Sequence, residues 1–503
     1  MSDVIRVLQL GTEDWRKCYK VPDYVDFIFA KDVFSEVPKS PYDLVFVDRV
    51  LLDEEIMPLC QATKAYTLYV TDREIWNEGL QEYYSRKNGK RLSREKVQDF
   101  LDKEVRNYFS KPYGEKFRFQ NLAIAQGFSG SVEWIGNYSV NVTGDFGEEL
   151  SQIAFWRNNI PIMEGQAIDL WLEYKKDPQV EIALSVTQFV RGTISQVQQT
   201  WFFTEQELEN TVILDNQLAT GPVFVSLLAK GQGNLQIIAL NDRYSRRGHG
   251  LFLPGGQRSV TSEREEIFYY FDPGDLKPPL NVYFSGYKTQ QGFEGYYMMR
   301  KMGCPFLLIG EPRLHGGSFY MGSEEYEKEL INIISKHMKR LGFTREQVIL
   351  SGLSMGTFGA MYYGCDIQPY AMILGKPLAS IGDVAKNERL HRPGGFPTSL
   401  DVLEFISGGS DENAIQRLNH RFWDKFDSTD WSNSRFVVSY MIEDDYDSTA
   451  YNTLISHLKS NGVKVYGKGI HGRHNDESFA INAWFKNQYD MILREDFGRK
   501  AEQ

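Results

Sequence analysis

The length, composition and charge of the chain exclude several classes of protein. It has 503 residues, of which 42% are hydrophobic and 24% charged, so it is long enough for about three domains that each bury a core. A disordered or fibrous protein is thereby excluded. The net charge of −11 argues against nucleic acid or an anionic membrane as the main partner, because both need a cationic surface.

The first part of the chain, residues 1–112, predicts a small α/β domain of the Rossmann-like kind. Three short apolar runs, at residues 4–10, 44–47 and 67–70, have the β-branched and aromatic content of buried parallel strands. Residues 94–109 place apolar side chains at helical spacing. Because no Gly-x-Gly-x-x-Gly turn follows the first run, we expect no dinucleotide site in this domain.

The N-terminal sequence and the cysteines favour a cytoplasmic location. Arg6 and Gln9 interrupt the first apolar run, so it lacks the unbroken apolar segment of a secretory signal. No stretch approaches the roughly 18 apolar residues of a transmembrane segment. The four cysteines are scattered along the chain and form neither a disulfide framework nor a zinc motif. We therefore expect neither a metal site nor a transmembrane segment.

The middle of the chain, residues 113–262, predicts an antiparallel β-sandwich. Apolar and polar residues alternate in short segments, and Gly-rich turns recur between them. A domain of this kind can bind carbohydrate, and four tryptophans are candidates for stacking on sugar rings: Trp134, Trp156, Trp171 and Trp201. The alternative is that these side chains pack in the core, which is the commoner fate of a tryptophan in a strand.

The last part of the chain, residues 263–503, predicts an α/β-hydrolase-like domain with a parallel, doubly wound sheet. Strands and helices alternate along it, as they do in such sheets. The predicted strands cover residues 280–284, 306–309, 347–350, 370–374, 436–442 and 463–466. A long helix is predicted after Ser323, which is a suitable N-cap. The whole chain is thus predicted to be an α/β multidomain protein.

The most informative motif of this last part is Gly352-Leu353-Ser354-Met355-Gly356. A buried strand is predicted before it and a helix after it, which is the setting of an α/β-hydrolase nucleophile elbow. Ser354 is therefore the predicted nucleophile. The Met355 N–H at the start of the helix is a predicted donor to the oxyanion that forms during acyl transfer. The alternative is an ordinary Gly-rich turn.

A serine nucleophile needs a base, and in this fold the partners follow in the order serine, acid, histidine. The loop after the last predicted strand contains His471 and His474. We predict that His474 is the base, because it lies nearer to the helix that follows. His471 is the alternative, and it would otherwise help to hold the loop.

The acid of the site should follow the strand predicted at residues 436–442. That loop offers four carboxylates, on Glu443, Asp444, Asp445 and Asp447. One of them can orient the histidine and stabilise its charged form. We choose Asp444, with Glu443 and Asp445 as alternatives, and interpret Asp447 as a helix cap.

A second oxyanion donor is expected from the loop after the first predicted strand of this domain. The N–H of Gly286 or Tyr287 is suitably placed in the sequence, since a glycine allows close approach of the backbone. The alternative is the segment at residues 315–317, whose His-Gly-Gly sequence resembles the oxyanion loops of esterases. Tyr287, Tyr296 and Tyr297 are also candidate sugar contacts near the predicted pocket.

The order of the three parts, with the sequences at residues 352–360, 441–447 and 469–475, resembles accessory secretory protein two of the Gram-positive accessory Sec system. The resemblance covers essentially the full length. It implies that the nucleophile is Ser354 and the base His474. It also implies that the acid is Asp444, although the crowded loop leaves its neighbours as alternatives.

The resemblance further implies a component of the machinery that exports serine-rich repeat glycoprotein adhesins. Its partners would be accessory secretory proteins one and three and the accessory SecA motor ATPase. It would work in the cytoplasm, or at the membrane surface through the export complex. The family is also linked to O-acetylation of N-acetylglucosamine on those adhesins. This chemistry needs an acetyl donor of unknown identity as co-substrate and no bound cofactor.

Two alternative functions stay open at this stage. One is a non-catalytic binding or chaperone subunit of the export complex, in which the hydrolase fold is vestigial. The other is a carbohydrate esterase, because transfer to water and transfer to a sugar hydroxyl use the same groups.

Overall fold

The computed structural model describes residues 4–36, 41–72, 75–193, 195–459 and 462–499. Three separate β-sheets follow one another along these parts of the chain. None of the helices in the described ranges is both long enough and apolar enough to cross a membrane. The limits of the three domains predicted above stay a prediction.

The first sheet is parallel and has the doubly wound strand order β2-β1-β3-β4-β5. Its strands are β1 Ile5–Gly11, β2 Val25–Ala30, β3 Leu44–Asp48, β4 Leu68–Thr71 and β5 Lys90–Leu92. The α-helices around it are α1 Val33–Glu36, α2 Asp53–Ala62, α3 Glu78–Arg86 and α4 Val97–Lys103. Along β3, Val45 and Val47 enter one core, and Leu44 and Phe46 enter the other. Both faces of the sheet are therefore covered.

The three strands predicted in this part are confirmed to within one residue at each end. The helix predicted at residues 94–109 is wrong as one unit. It is divided into the 3₁₀ turn Arg94–Lys96, the helix α4 and the 3₁₀ turn Val105–Tyr108. The side chains still lie on one face, because Val97, Phe100 and Val105 all enter the same core.

The second sheet contains ten strands, and all of their pairings are antiparallel. The strands are β6 Gly114–Lys116, β7 Leu122–Ile124, β8 Ser131–Ile135, β9 Ser139–Trp156, β10 Ile160–Ile162, β11 Ala167–Lys176, β12 Glu181–Phe189, β13 Val197–Thr204, β14 Val212–Asp215 and β15 Gly221–Tyr244, with the short helix α5 Glu205–Leu208. The long strands β9 and β15 each pair with several partners, so the hydrogen bonds form one continuous sheet. The arrangement in two packed layers stays a prediction.

The third sheet has the order β16-β17-β19-β18-β20-β21-β22-β23, and it is parallel except for the two pairings of β17. Its strands are β16 Gln257–Val260, β17 Glu266–Asp272, β18 Leu280–Phe284, β19 Phe306–Gly310, β20 Val348–Leu353, β21 Ala371–Gly375, β22 Arg435–Met441 and β23 Lys464–Ile470. All six predicted strands are confirmed. The sheet already begins at Gln257, six residues before the predicted domain limit.

Helices cover both faces of the third sheet, and each face has its own apolar core. The helices are α6 Tyr296–Lys301, α7 Glu324–Leu341, α8 Met355–Ile367, α9 Ile381–Leu390, α10 Thr398–Ser407, α11 Glu412–Asp427, α12 Ala450–Leu458 and α13 Ser478–Glu495. Ser323 caps α7 as predicted, since its side chain accepts a hydrogen bond from the Tyr326 N–H. Helices α9 to α11 are inserted between β21 and β22.

Candidate active site

Ser354 lies in a strained turn between a strand and a helix. β20 ends at Leu353 and α8 begins at Met355, so Ser354 alone makes the turn. Its backbone has φ 52° and ψ −123°, a conformation that costs a non-glycine residue about 1–3 kcal/mol. Its N–H donates to the carbonyl oxygen of Gly375 at 2.8 Å, which ties the turn to the neighbouring strand β21.

The two glycines of the motif are required by space. A Cβ on Gly352 would lie 2.3 Å from the carbonyl carbon and oxygen of Gly356, and a Cβ on Gly356 would lie 2.1 Å from the carbonyl oxygen of Phe284 on β18. All of these neighbours are backbone atoms that side-chain rotation cannot move. The motif thus brings strand and helix closer together than any side chain would allow.

Ser354, His474 and Asp444 form a continuous hydrogen-bonded chain. Ser354 Oγ lies 2.8 Å from His474 Nε2, and His474 Nδ1 lies 2.8 Å from Asp444 Oδ2. His474 is 1% exposed and Asp444 is 8% exposed. With the carboxylate accepting, Nδ1 carries the proton and Nε2 is left to accept from the serine hydroxyl. Ser354 follows β20, Asp444 follows β22 and His474 follows β23. All three therefore lie at the carboxyl edge of the parallel sheet.

Asp444 is held in place by its own loop. Its Oδ1 accepts hydrogen bonds from the backbone N–H groups of Tyr446 and Asp447, at 2.9 and 3.2 Å. The other oxygen of the carboxylate is thereby aimed at His474. This is the local turn that aspartate side chains favour, with the carboxylate bonded to N–H groups two and three residues later.

The two alternative acids have other partners. Glu443 binds His471 Nδ1 at 2.9 Å and the Gly472 N–H at 2.7 Å, and this N–H is the main cause that lowers the pKa of Glu443. Asp445 accepts the backbone N–H of His474 at 3.0 Å. Neither carboxylate bonds to the His474 ring. The His471 side chain is therefore held by Glu443.

Asp447 does not cap the following helix, so that interpretation is wrong. Its carboxylate instead accepts the N–H groups of Ala379 and Ser380, both at 2.9 Å. Burial raises the pKa of Asp447 to about 6. The side chain points into the protein because these two N–H groups, at the start of the inserted helices, need a buried acceptor.

The two predicted oxyanion donors in the loop after β18, the N–H groups of Gly286 and Tyr287, differ in their hydrogen bonding. The Gly286 N–H already donates to Glu294 Oε2 at 2.6 Å, which argues against Gly286 as a donor. Within the described residues, the Tyr287 and Met355 N–H groups have no protein acceptor. Met355 is the first residue of α8, where the N–H has no partner inside the helix. The loop lies against the turn, since a Cβ on Gly286 would be 3.1 Å from the Leu353 carbonyl oxygen.

The His-Gly-Gly segment packs against the same loop and against Met355. A Cβ on Gly316 would lie 2.1 Å from the Tyr287 ring, and one on Gly317 would lie 2.5 Å from the Met355 side chain. His315 Nδ1 lies 3.1 Å from the Tyr287 hydroxyl. The two segments that compete as oxyanion loops therefore form one wall of the same site.

A further wall of the site, which the sequence did not predict, consists of Tyr446 and the segment before α10 at residues 391–397. The Tyr446 ring stacks on His474, with centroids 4.4 Å apart, and Phe396 stacks on Tyr446 at 5.5 Å. The Arg392 guanidinium lies 4.2 Å from the Tyr446 centroid and binds Asp445 at 2.7 Å. These contacts cover the imidazole. No motif marks this segment, and its neighbours in space are remote in sequence.

Several of the aromatic residues predicted to contact sugar are buried. Trp156 and Trp171 are 3% and 1% exposed, which confirms that they pack in the core, and Tyr296, at 8% exposed, is buried as well and is not a sugar contact. Their faces are used for packing, as in Trp171, which is covered by arginine side chains. Trp201 is half-buried against the core of the second sheet. Trp134 is 49% exposed, and with the exposed Tyr297 and Tyr287 it remains available for contact.

Comparisons with known proteins identify the family. Residues 5–499 match the family model of accessory secretory protein two, described as an accessory Sec system GspB-transporter. The member of this name from the accessory Sec system of Streptococcus gordonii is 36% identical over 510 residues, which is 99% of this chain and all of the relative. The protein of the same name from Staphylococcus aureus is 37% identical over 519 residues, covering 99% of this chain and 98% of the relative.

A solved structure agrees with these matches. A chain of the Glycosylation Associate Protein (Gap123) complex from Streptococcus agalactiae superposes with a TM-score of 0.88 and 34% identity, over 99% of this chain and 100% of that one. Family match, relatives and structure all extend over nearly the full length, so the likeness includes all three sheets. The chain belongs to the family of accessory secretory protein two of the accessory Sec system.

Proposed function

We propose that this chain is a serine-dependent O-acetyltransferase of the accessory Sec machinery, which modifies N-acetylglucosamine on serine-rich repeat glycoprotein adhesins. The observation that carries the proposal is the hydrogen-bonded chain from Ser354 through His474 to Asp444, built at a strained turn. A serine hydroxyl is a weak nucleophile until a base removes its proton, and this arrangement supplies that base.

The first half-reaction would acetylate the enzyme. Ser354 Oγ attacks the acyl carbon of the donor while its proton passes to His474 Nε2, 2.8 Å away. The imidazolium that forms is stabilised by Asp444. The leaving group departs with the proton from His474, and an acetyl ester remains on Ser354.

The oxyanion of this step would be bound by two backbone N–H groups. The Met355 N–H belongs to the N-terminus of α8, where the helix dipole also favours negative charge. The Tyr287 N–H is the second donor that we propose, because Gly286 is occupied by Glu294. Glu294 in this view fixes the loop and does not touch the substrate.

The second half-reaction would move the acetyl group to a sugar hydroxyl. His474 removes the hydroxyl proton, the sugar oxygen attacks the acetyl carbon, and the bond to Ser354 Oγ breaks as that oxygen regains a proton. Transfer succeeds over hydrolysis when water is kept from the ester. The near-complete burial of His474 beneath Tyr446 and the segment around Phe396 supports this part of the proposal.

A non-catalytic function gives a weaker reason than catalysis for a strained serine at position 354. The conformation of Ser354 would cost less with glycine, which adopts a positive φ without strain. A strained serine joined to a buried histidine and aspartate is the arrangement expected where chemistry maintains it. Binding to the export complex and catalysis are nevertheless compatible in one protein.

The partners that we propose are accessory secretory proteins one and three, the accessory SecA motor ATPase and the adhesin itself. The similar chain from Streptococcus agalactiae is part of a Gap123 complex, which supports an assembly of this kind. We place the protein in the cytoplasm, or at the membrane surface through that assembly, with no bound cofactor.

The test uses acetyl transfer to a glycosylated adhesin in a strain that lacks the native gene. Strains that carry Ser354→Ala or His474→Ala should export adhesin without acetyl groups on its sugars, as read by glycan mass spectrometry. His471→Ala is the matched control, because this histidine is exposed and bonds to Glu443. Unchanged acetylation in the Ser354→Ala strain would contradict the proposal. Purified protein that only removes acetyl groups from sugars would favour the esterase instead.

A further inference from the structure

A cleft beside the Ser354 turn is lined by basic side chains that the mechanism above does not use. It lies between β6 of the second sheet and the two loops that pack against the turn. Lys116 lines one side, Lys288 and His315 line the other, and the backbone of Gly286 and Gly316 forms part of the wall. The cleft thus opens next to the proposed oxyanion site.

One positive charge of the cleft has no ion-pair partner among the described residues, in a chain whose net charge is −11. The lining carboxylate Glu311 is neutralised by Arg313, which binds both of its oxygens. Lys116 is paired with Glu173 at 3.0 Å. Lys288 forms no ion pair within the described ranges of the chain, so its charge is available to a ligand.

His315 adds an uncharged imidazole to the same cleft. Burial lowers its pKa, and the nearby Arg118 and Lys116 lower it further, so the ring is uncharged at neutral pH. Its Nδ1 lies 3.1 Å from the Tyr287 hydroxyl, and in the tautomer in which this hydroxyl donates, Nε2 carries the ring proton. The side chains of Lys116 and Glu115 point to opposite faces of β6, because successive residues of a strand alternate. Glu115 therefore faces away from the cleft.

We propose that the mouth of this cleft, whose enclosed volume is only about 20 Å³, is the anion subsite for the acetyl donor, and that the donor carries a phosphate group. This inference rests on the proposed function. Ammonium groups and imidazole N–H donors bind phosphate oxygens through charge-assisted hydrogen bonds, and glycines let such a group approach the backbone. Acetyl phosphate and the nucleotide thioester acetyl-coenzyme A both provide this chemistry.

The acyl step is balanced with either donor. Ser354 Oγ forms the new ester bond, and its proton moves to His474 Nε2. The bond from the acetyl carbon to the phosphate oxygen or to the thioester sulfur breaks, and its electron pair stays with the leaving group. His474 then gives this proton to the leaving group, which departs as the free thiol or as hydrogen phosphate.

The test compares anionic donors with a neutral one on the purified full chain. The rate at which the enzyme consumes each donor is measured with acetyl phosphate, acetyl-coenzyme A and p-nitrophenyl acetate. The kcat/KM for each anionic donor is then divided by that for the neutral ester. Lys288→Ala should lower this ratio about tenfold or more, the usual value of one charge-assisted hydrogen bond. Lys288→Arg should restore it, and high salt should lower it in the wild type. The exposed Lys336→Ala on α7 is the control that leaves it unchanged.

The outcomes separate this inference from the proposed function. A ratio that falls for acetyl phosphate alone identifies an acyl phosphate as the donor, and a ratio that falls for the thioester alone identifies coenzyme A. If Ser354-dependent turnover of p-nitrophenyl acetate persists and both ratios stay the same in Lys288→Ala, the anion subsite is wrong while the serine chemistry stands. If no donor is turned over through Ser354, the proposed function itself fails, and this inference with it.

Discussion

Asp444→Asn tests which carboxylate of the crowded loop orients His474. Oδ1 of Asp444 accepts two backbone N–H groups, and Oδ2 faces His474 Nδ1 at 2.8 Å. An asparagine can keep its carbonyl oxygen on those N–H groups only by turning its NH₂ toward the imidazole. Two donors cannot face each other, so the ring would move its proton from Nδ1 to Nε2.

The magnitude follows from that tautomer. A protonated Nε2 cannot accept the proton of Ser354, whose Oγ lies 2.8 Å away, and the charge that stabilises the imidazolium is also lost. The same change in a Ser-His-Asp protease lowers kcat by about 10⁴-fold, or roughly 5 kcal/mol of activation free energy. We expect Asp444→Asn to lower acetyl transfer by about 10³- to 10⁴-fold with little effect on stability.

The assay is single-turnover acetylation of the enzyme, with the fold checked by circular dichroism. Glu443→Gln and Asp445→Asn are the matched controls. Each removes one charge from the same loop, and neither side chain bonds to the imidazole of His474. We expect less than about a tenfold loss in either, within the range of a single hydrogen bond. Near-normal activity of Asp444→Asn, together with loss of activity in Glu443→Gln, would refute the assignment.

Three more predictions concern stability and loop geometry. Gly356→Ala should lower the free energy of unfolding by about 3 kcal/mol, because its Cβ would lie 2.1 Å from a carbonyl oxygen of β18. Gly409→Ala is the control, since its Cβ meets only a distant methyl group, and urea titration of both variants gives the comparison. Burial raises the pKa of Asp447 to about 6, so the folded state loses stability as pH rises from about 4 to about 6. Asp447→Asn should therefore stabilise the fold by up to about 3 kcal/mol at pH 7.5 and by little at pH 4, and an equal effect at both values would contradict the raised pKa. Glu294→Ala should lower kcat about tenfold at similar KM by freeing the Gly286 loop, whereas Glu294→Gln keeps an acceptor and should stay near wild type; equal losses in both would contradict this.

The strands of the parallel sheets were predictable because both of their faces are buried. A run such as residues 347–350 is apolar throughout most of its length, which is typical of a strand covered on both sides. The nucleophile turn was predictable for a related reason, since Gly352 and Gly356 are fixed by backbone contacts that any sequence with this turn must satisfy. The buried strands and the nucleophile turn could therefore be predicted from the local sequence.

Features that depend on distant contacts were not predictable. Whether Trp171 is exposed depends on arginines from other segments that cover its ring. The bond between the Gly286 N–H and Glu294 depends on how the intervening loop folds back. The cover of His474 by Tyr446 and Phe396 depends on the position of the helices inserted after β21. None of these contacts leaves a periodic signal in the sequence.

Detection of an acetyl group on Ser354 tests the central claim most directly. The purified chain is incubated with an acetyl donor in the absence of sugar, quenched with acid and digested for peptide mass spectrometry. We predict one added acetyl group on the peptide that contains Ser354, absent from Ser354→Ala and lost from the wild type when glycosylated adhesin is added. Acetyl transfer to the adhesin by the Ser354→Ala protein, or acetylation of a residue other than Ser354 during turnover, would contradict the account.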